Sequence, residues 1–229
     1  MTDLVHPPAP AFVFDLDGTL VDSVYQHVIS WQEALAEAGI KLATWRIHRK
    51  IGMSGGLFVR GVQRETGVEL TAEQVENLQD AHGRHYAARV PDVQPLPGAP
   101  ELLRYLTEAG IKWTIATSGR RAAAEPMLAK LGAPAGLPMV TRDEVARAKP
   151  DPDLFLAGAA KLGIDPRHCV VVGDSIWDLL AARRAGALGV GLLSGGYGEE
   201  ELQRAQAFRV YEEPGDLLAH IDELGVRGA

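Results

Sequence analysis

Two aspartates stand two residues apart at the end of a short apolar stretch. The stretch Ala-Phe-Val-Phe at 11–14 is typical of a buried strand, and Asp15 and Asp17 follow it. Side chains at i and i+2 of an extended segment point to the same side, so the two carboxylates lie together. Like charges this close are costly unless a cation or a shared proton compensates them. A hard divalent ion, with Mg²⁺ the first candidate, meets this need, although the spacing alone also fits an ordinary Asp-Gly turn.

More polar groups follow later apolar stretches. They are Thr117 and Ser118 after residues 113–116, Asp174 and Ser175 after 169–173, Asp178 one helical turn further, and Lys149 in the loop 148–152. In open parallel sheets, ligands bind outside the carboxyl ends of the strands, so we expect all these groups on one rim. Four carboxylates, hydroxyls and a lysine suit metal-assisted phosphoryl transfer. Taken singly, a hydroxyl before a helix, a loop lysine and a first-turn acid each have a purely structural explanation.

The elements that must position these groups alternate along the chain. Short apolar stretches at 113–116, 139–140, 169–172 and 188–192 predict strands, and amphipathic patterns between them predict helices. This alternation implies a parallel sheet with right-handed crossovers. The sequence therefore predicts a doubly wound, Rossmann-like α/β core formed by residues 1–21 and 91–229.

Residues 22–90 have helical patterns throughout, which predicts an inserted all-helical domain. Ser23 with Gln26 and Thr71 with Gln74 have capping-box spacing, which predicts two helix starts. Prolines at 91, 95 and 97 then indicate a linker back to the core. Within this segment, His82 and His85 have i, i+3 spacing, and without a third ligand nearby we expect surface residues rather than a zinc site.

The composition excludes several classes of protein. The chain has 229 residues, 46% of them hydrophobic, and a formal net charge of −7, which argues against nucleic acid or an anionic membrane as partner. The single cysteine rules out an internal disulfide. We find no signal peptide and no apolar stretch of membrane-spanning length, which predicts a soluble cytoplasmic protein.

Four motifs together resemble the haloacid dehalogenase superfamily, in its phosphatase branch. DLDGT at 15–19 is similar to the first motif, Thr117 to the second, Lys149 in KPDPDLF to the third, and GDSIWD at 173–178 to the fourth. The order of the motifs matches over essentially the whole chain. The helical insert resembles the cap domain that follows motif one in proteins of the phosphoglycolate phosphatase and β-phosphoglucomutase type.

The resemblance implies a role for each motif residue. Asp15 would be the nucleophile that forms an aspartyl-phosphate, and Asp17 the general acid and base. Mg²⁺ would be held by the carboxylates of Asp15 and Asp174 and by the backbone carbonyl of Asp17. Lys149 would be catalytic and would bind the phosphate together with Thr117, Ser118 and Gly119. Supporting groups would be Thr19, Ser175 and Asp178.

The cap is expected to select the substrate, because the core rim handles only the phosphate. Arg49, in the basic stretch 46–50, is our candidate for a substrate contact, although a solvated basic helix face explains that stretch equally well. The expected reaction is hydrolysis of a small phosphorylated metabolite by a monomer or homodimer. A phosphosugar mutase is the first alternative, since the same core retains the phosphoryl group when water is excluded. The second is a non-catalytic regulator that binds a phosphorylated metabolite.

Overall fold

Six parallel strands form one sheet in the computed structural model, which describes residues 9–226. The strands lie in the spatial order β3-β2-β1-β4-β5-β6. Their bounds are β1 Ala11–Phe14, β2 Trp113–Ala116, β3 Met139–Val140, β4 Cys169–Gly173, β5 Leu188–Leu192 and β6 Arg209–Tyr211. The predicted doubly wound α/β core is confirmed. The order reverses direction at β1, so the crevice at a topological switch point lies beside this strand.

The first strand is buried on both faces, as its unbroken apolar sequence predicts. Phe12 and Phe14 pack in one apolar cluster with Ile115, and Val13 packs in another with Phe155 on the opposite face of the sheet. Neighbouring residues of a strand point to opposite faces, so one short strand contributes to both layers. Helices cover both faces and leave mainly the ends of the strands open to ligands.

Six helices cover the core sheet. They are α5 Ala99–Glu108, α6 Arg121–Lys130, α7 Asp153–Leu162, α8 Ile176–Ala185, α9 Glu199–Arg204 and α10 Pro214–Ala219. The sequence pattern at 217–224 predicts one closing helix, whereas the structure has the short α10 followed by a 3₁₀ turn at Ile221–Leu224. We also missed β6, because it has only three residues and its first two are not buried.

Four helices between β1 and the linker form the inserted all-helical cap, here α1–α4. Their bounds are α1 Val24–Glu37, α2 Thr44–His48, α3 Gly55–Thr66 and α4 Ala72–Ala87. They bury their own apolar cluster, with Val28, Trp31, Phe58 and Leu78 among its members. Thr71 and Gln74 form the predicted capping box at the start of α4. None of the helices within residues 9–226 has the length and apolar character needed to cross a bilayer.

Ser23 precedes α1 but does not cap it, contrary to our expectation. The side chain makes no capping hydrogen bond, and its hydroxyl instead donates to Asp17 Oδ1 at 2.7 Å. The ionised Asp17, six residues earlier in the chain, is a stronger acceptor than a neutral oxygen. Ser23, which the sequence pattern places at the start of a helix, therefore contacts a residue of the candidate site.

Candidate active site

The predicted rim residues meet at the carboxyl ends of adjacent strands. β1 pairs with β2 on one side and β4 on the other, which places Asp15 and Asp17 between Thr117 and Asp174. A cavity of about 1170 Å³ opens here between the core and the cap. The predicted residues that line it are Asp15, Asp17, Thr117, Ser118, Gly119 and Lys149. Thr19, Asp174, Ser175 and Asp178 lie behind this first layer, as the contacts below show.

Lys149 is fully buried between two carboxylates. Its Nζ lies 2.5 Å from Asp15 Oδ1 and 2.7 Å from Asp178 Oδ1. Asp178 is held in turn by Ser175, whose backbone N–H donates to Asp178 Oδ2 at 3.1 Å at the start of α8. A buried amine retains its charge only beside such partners, and the two aspartates raise the pKa of Lys149 although burial alone would lower it. Lys149 is therefore a fixed positive charge against Asp15, not an exposed loop lysine.

Asp174 completes a group of three buried carboxylates. One oxygen each of Asp15, Asp174 and Asp178 lie within 4.8 Å of one another, and Thr19 Oγ1 donates to Asp174 Oδ1 at 3.0 Å. Burial, and then the charges of Asp178 and Asp15, raise the pKa of Asp174 well above its usual value. Three carboxylates beside a single lysine leave uncompensated negative charge in a buried place. Their oxygens are the donors that a hard divalent cation takes, so the residues fit such an ion.

Two glycines allow the backbone to approach Asp174. Gly18 has a φ of 80°, and a Cβ built on it would lie 2.6 Å from Asp174 Oδ2. A Cβ on Gly195 would overlap the same carboxylate oxygen. The loop after β5 is also fixed by Ser194, whose hydroxyl donates to Gly18 O at 2.6 Å. The loop after β5 thus packs directly on a carboxylate of the site.

The two neighbouring aspartates of the first motif have opposite electrostatic environments. Burial raises the pKa of Asp15 to about 7, with smaller contributions from Asp178 and Asp17, against the lowering effect of Lys149. Burial also acts to raise the pKa of Asp17, but the charge of His27 and hydrogen bonds from His27 and Ser23 outweigh it and lower this pKa. Asp17 is therefore ionised at neutral pH, whereas the pKa of Asp15 stays about 7 even with Lys149 beside it.

Three side chains of the cap lie around one carboxylate oxygen of Asp17, Oδ1. His27 Nε2 lies 3.2 Å from Asp17 Oδ1, and the Tyr86 hydroxyl donates to the same oxygen at 3.3 Å. Ser23 is the third donor, as described above. The other oxygen, Oδ2, accepts a long 3.4 Å hydrogen bond from Thr117 on the cavity side. One oxygen is thus held by the cap, and the other faces the cavity.

His27 and Tyr86 were not among the predicted site residues, and the interpretation of His82 as a surface residue was wrong. His82 Nε2 lies 3.1 Å from His27 Nδ1, and its ring is stacked 4.2 Å from that of Trp31. Burial, and then the charge of His27, lower the pKa of His82 well below its usual value. A sequence signal existed for His27 alone, which is four residues after Ser23 and shares the buried face of α1. The stack depends on α1 meeting α4, which no local pattern shows.

The turn after β2 is preformed by its own hydroxyl. Gly119 N–H donates to Thr117 Oγ1 at 2.9 Å, so that the backbone turns tightly beside Asp17. Ser118 Oγ donates to Gly52 O of the cap at 3.2 Å. Thr117 is buried, whereas Ser118 and Gly119 are partly exposed on the cavity surface. The three residues therefore line the cavity next to Asp15 and Asp17 in a turn that is already formed.

Arg49 does not reach the cavity, contrary to the expected substrate contact. Its guanidinium pairs with the carboxylate of Glu201 and lies 4.0 Å from the centre of the Tyr197 ring. The backbone of Arg49 also accepts a 3.1 Å hydrogen bond from the Tyr197 hydroxyl. A core carboxylate and an aromatic face attract the guanidinium more than open cavity does. Arg49 thus joins the cap to the loop after β5.

Comparison with known proteins agrees with this geometry. The sequence model of the haloacid dehalogenase-like hydrolases matches residues 9–186. The chain is 33% identical to phosphoglycolate phosphatase of Agrobacterium fabrum over 83% of either chain. It is 34% identical to hexitol phosphatase A of Escherichia coli over 76% of this chain and 79% of that one.

A solved structure gives the same answer for the fold. A hydrolase from Pseudomonas syringae superimposes with a TM-score of 0.91 and 55% sequence identity, over 93% of this chain and 98% of that chain. The family match spans well over half of the sequence and includes all four motifs on the rim. The chain therefore belongs to the haloacid dehalogenase-like hydrolases.

Proposed function

We propose that the protein is a Mg²⁺-dependent phosphatase that hydrolyses a small organic phosphate monoester through an aspartyl-phosphate. The observation that carries this proposal is the pairing of Asp15 with Lys149 beside an ionised Asp17 at the floor of one cavity. Residues 22–90 would act as the cap unit that closes this cavity over the rim of the core. The proposal also includes a small phosphorylated metabolite as the only ligand besides the metal.

Asp15 would attack the phosphorus atom. A bond forms between its carboxylate oxygen and phosphorus while the ester P–O bond breaks, which divides hydrolysis into two easier steps. Lys149 holds the attacking carboxylate and stays charged throughout, because two aspartates stabilise its proton. Thr117, Ser118 and Gly119 would donate to the phosphate oxygens from the preformed turn. Positioning and charge compensation by these groups supply most of the catalysis expected for phosphoryl transfer.

Asp17 would protonate the leaving oxygen in the first step. In the second step it would take a proton from the water that attacks phosphorus, while the bond between the Asp15 oxygen and phosphorus breaks and inorganic phosphate leaves. In the free protein Asp17 is ionised, which suits the second role directly. A phosphate dianion beside it adds a second negative charge, which raises its pKa and favours the protonated form needed for the first role. Oδ2 is the oxygen that faces the cavity, so the proton is carried there while Oδ1 stays with the cap.

The metal would be held by Asp15, Asp174 and the backbone carbonyl of Asp17. Asp178 would support these ligands or add a further one. When bound, Mg²⁺ would compensate the charge of the carboxylates and of the transferred phosphoryl group. Thr19 and Ser175 would hold Asp174 and Asp178 in place through the hydrogen bonds already described.

Phosphate release from small phosphate esters tests the proposal. We expect turnover with Mg²⁺, loss of turnover with EDTA, and a loss of about 10³-fold or more in Asp15→Asn. Loss in the variant but not with EDTA would remove the metal from the proposal. Isomerisation of a sugar phosphate without net release would identify a mutase instead. Binding of a phosphorylated metabolite without any turnover would identify a regulator.

A further inference from the structure

The loop between β5 and α9 contacts the cap on one side and the candidate metal site on the other. We propose that residues 193–198, here called the β5 loop, position the metal ligand Asp174, and that His48 and Arg49 of the cap hold this loop in place. Metal binding and docking of the cap therefore strengthen one another. This inference rests on the metal site of the proposed function and adds positioning residues that contact neither the metal nor the substrate.

On the core side, the β5 loop lies against the metal site at two points. Gly195 is buried against Asp174, so closely that a Cβ on this glycine would overlap Oδ2 of the carboxylate. Ser194 Oγ donates to Gly18 O at 2.6 Å, and Gly18 directly follows Asp17, whose backbone carbonyl is a proposed ligand. The loop thus borders two of the groups that would hold the metal.

The carboxylate of Asp174 has little freedom while the β5 loop is in place. Thr19 Oγ1 donates to its Oδ1 at 3.0 Å, whereas the backbone of Gly18 and Gly195 confines its Oδ2. Mg²⁺ demands a near-ideal octahedral arrangement of ligands at short distances, so its affinity depends on ligands with fixed directions. Withdrawal of the β5 loop would open space beside Oδ2 and allow the carboxylate to turn away from the metal.

On the cap side, the same glycine makes a direct contact with α2. The carbonyl of Gly195 accepts a 2.8 Å hydrogen bond from His48 Nε2. A Cβ on Gly196, where φ is 80°, would lie 2.9 Å from His48 Cε1, so the ring packs closely on the loop backbone. The other neighbour of this ring is Tyr25 of α1, stacked at 5.4 Å between centroids. One residue of the β5 loop therefore lies between a cap histidine and a carboxylate of the metal site.

Arg49 makes the second contact between the cap and the β5 loop. Its Nη1 donates to Glu201 Oε2 at 3.3 Å, and the same oxygen accepts a 3.0 Å hydrogen bond from the N–H of Gly198 at the end of the loop. Tyr197, buried within the loop, donates to the backbone of Arg49. The Arg49 and Glu201 side chains are 33% and 44% exposed, so water can replace either partner when the cap moves.

The coupling between the metal site and the cap must act in both directions. If the intact cap contact favours metal binding by a given factor, the bound metal favours the cap contact by the same factor. Such couplings usually amount to about 5–150-fold in affinity. We expect the lower end of this range, because the β5 loop fixes only one of the ligand carboxylates and the ion pair is partly exposed.

The first test measures binding of Mg²⁺ or Ca²⁺ alone to the metal-free full chain by isothermal titration calorimetry. Arg49→Met should raise the Kd for Mg²⁺ by at least about fivefold. Ca²⁺ accepts flexible coordination, so its Kd should change less than about twofold. An unchanged Kd for Mg²⁺, or equal losses for the two ions, would overturn the inference.

A double-mutant cycle tests the ion pair itself. Glu201→Gln removes the charge but keeps an oxygen for the N–H of Gly198, and it should weaken Mg²⁺ binding as much as Arg49→Met does. The double variant should be no weaker than either single variant, because both changes remove the same contact. Glu200→Gln, the preceding residue of α9, breaks a surface pair with Arg204 and should keep the Kd within about twofold. Additive losses in the double variant, or an equal loss in Glu200→Gln, would overturn the inference.

Hydrogen exchange tests the reverse direction. Mg²⁺ should slow amide exchange at residues 46–52 and 193–198 of the unchanged protein, and the effect at 46–52 should disappear in Arg49→Met. Equal protection of 46–52 in both proteins would overturn the inference. Phosphate release that requires Mg²⁺ reports on the proposed function alone, so such turnover with an unaltered Mg²⁺ affinity in Arg49→Met would keep that function. Absence of Mg²⁺ binding by the unchanged protein would overturn the proposed metal site and this inference together.

Discussion

The two walls of the cavity consist of different kinds of side chain. The core wall holds ionisable groups that are almost fully buried, with Asp15 2% and Lys149 0% exposed. The cap wall holds a stack of rings that includes Phe58, Trp31 and His82. Its Lys50 and Arg84 side chains pair with carboxylates of the cap itself. Buried charges must be paired precisely and tolerate little change, whereas an apolar and amide surface can vary with modest cost. We therefore expect the core to determine the reaction and the cap to determine the substrate.

A single residue joins the two walls. Asp17 belongs to the core by sequence, yet one of its oxygens is held by Ser23, His27 and Tyr86 at the base of the cap. The other oxygen faces the cavity beside Thr117. Any movement of α1 or α4 relative to the sheet changes the donors around Asp17 and hence its proton affinity. The proton affinity of this core carboxylate therefore depends on the position of the cap.

The largest effect is expected when Asp17 becomes asparagine. Without its acid and base, turnover of alkyl phosphates should fall by about 10²–10⁴-fold. p-Nitrophenolate leaves without a proton, so with p-nitrophenyl phosphate only the second step should be slowed. Rapid mixing should then show a burst of p-nitrophenol close to the enzyme concentration, followed by slow release.

The control for this prediction is Asp22→Asn, an exposed acid of the same segment. It should show neither the burst nor the loss. An Asp17→Asn protein with equal losses for alkyl and aryl esters and no burst would contradict the assigned role and leave Asp17 as a structural residue.

Replacement of Lys149 by methionine tests whether the core wall depends on paired charge. Removal of the amine leaves Asp15 and Asp178 buried without a cation, which should cost about 3–5 kcal/mol of unfolding free energy at pH 7.5 without metal. Burial raises the pKa of Asp15, so this carboxylate binds more protons when folded than when unfolded, and the loss should shrink as the pH falls towards 5. Urea denaturation at both pH values measures the difference.

Lys161→Met is the matched control, because Lys161 pairs with Glu144 at the surface. It should lose no more than about 1 kcal/mol at either pH. If Lys149→Met lost the same free energy at pH 7.5 and pH 5, lost packing rather than unpaired charge would explain the effect.

The rim of the core could be predicted because its signals are local. Asp15 and Asp17 follow an apolar stretch directly, and Gly173-Asp174-Ser175 follows another, so each strand identifies its own end. The rule that parallel strands place these ends on one edge then brings them together. β6 escaped detection because a short edge strand has little apolar sequence to show.

The cap contacts could not be predicted because they depend on partners far away in sequence. His27 meets His82 across 55 positions, and Arg49 meets Glu201 across 152. Amphipathic periodicity shows which face of a helix is buried but not which helix it will contact. His82 was therefore interpreted as a surface residue and Arg49 as a substrate contact, whereas the structure places His82 in a ring stack and pairs Arg49 with Glu201.

A change in the linker between cap and core should lower the free energy of unfolding less than the change in the core wall. Lys130 of α6 donates to three backbone carbonyls of this linker, those of Val90, Pro91 and Val93, at 3.0, 2.9 and 2.5 Å. Lys130→Met should cost about 1–2 kcal/mol and increase proteolysis between residues 88 and 98. Lys112→Met, which removes a single exposed bond to Leu162 O, should cost less than about 0.5 kcal/mol. Equal cleavage rates in the two variants would show that the linker does not depend on Lys130.

The smallest effect concerns the pH dependence of the cap wall. Burial lowers the pKa of His82, so the folded protein binds fewer protons than the unfolded chain below about pH 6.5 and loses stability as the pH falls. His82→Gln should remove up to about 1.4 kcal/mol per pH unit of this loss between pH 6.5 and 5.5. His220 provides a control of opposite sign, because a hydrogen bond with Asp216 O raises its pKa and His220→Gln should make acid more damaging. Parallel stability curves for His82→Gln and the unchanged protein would show that His82 takes up its proton as freely in the cap as in water.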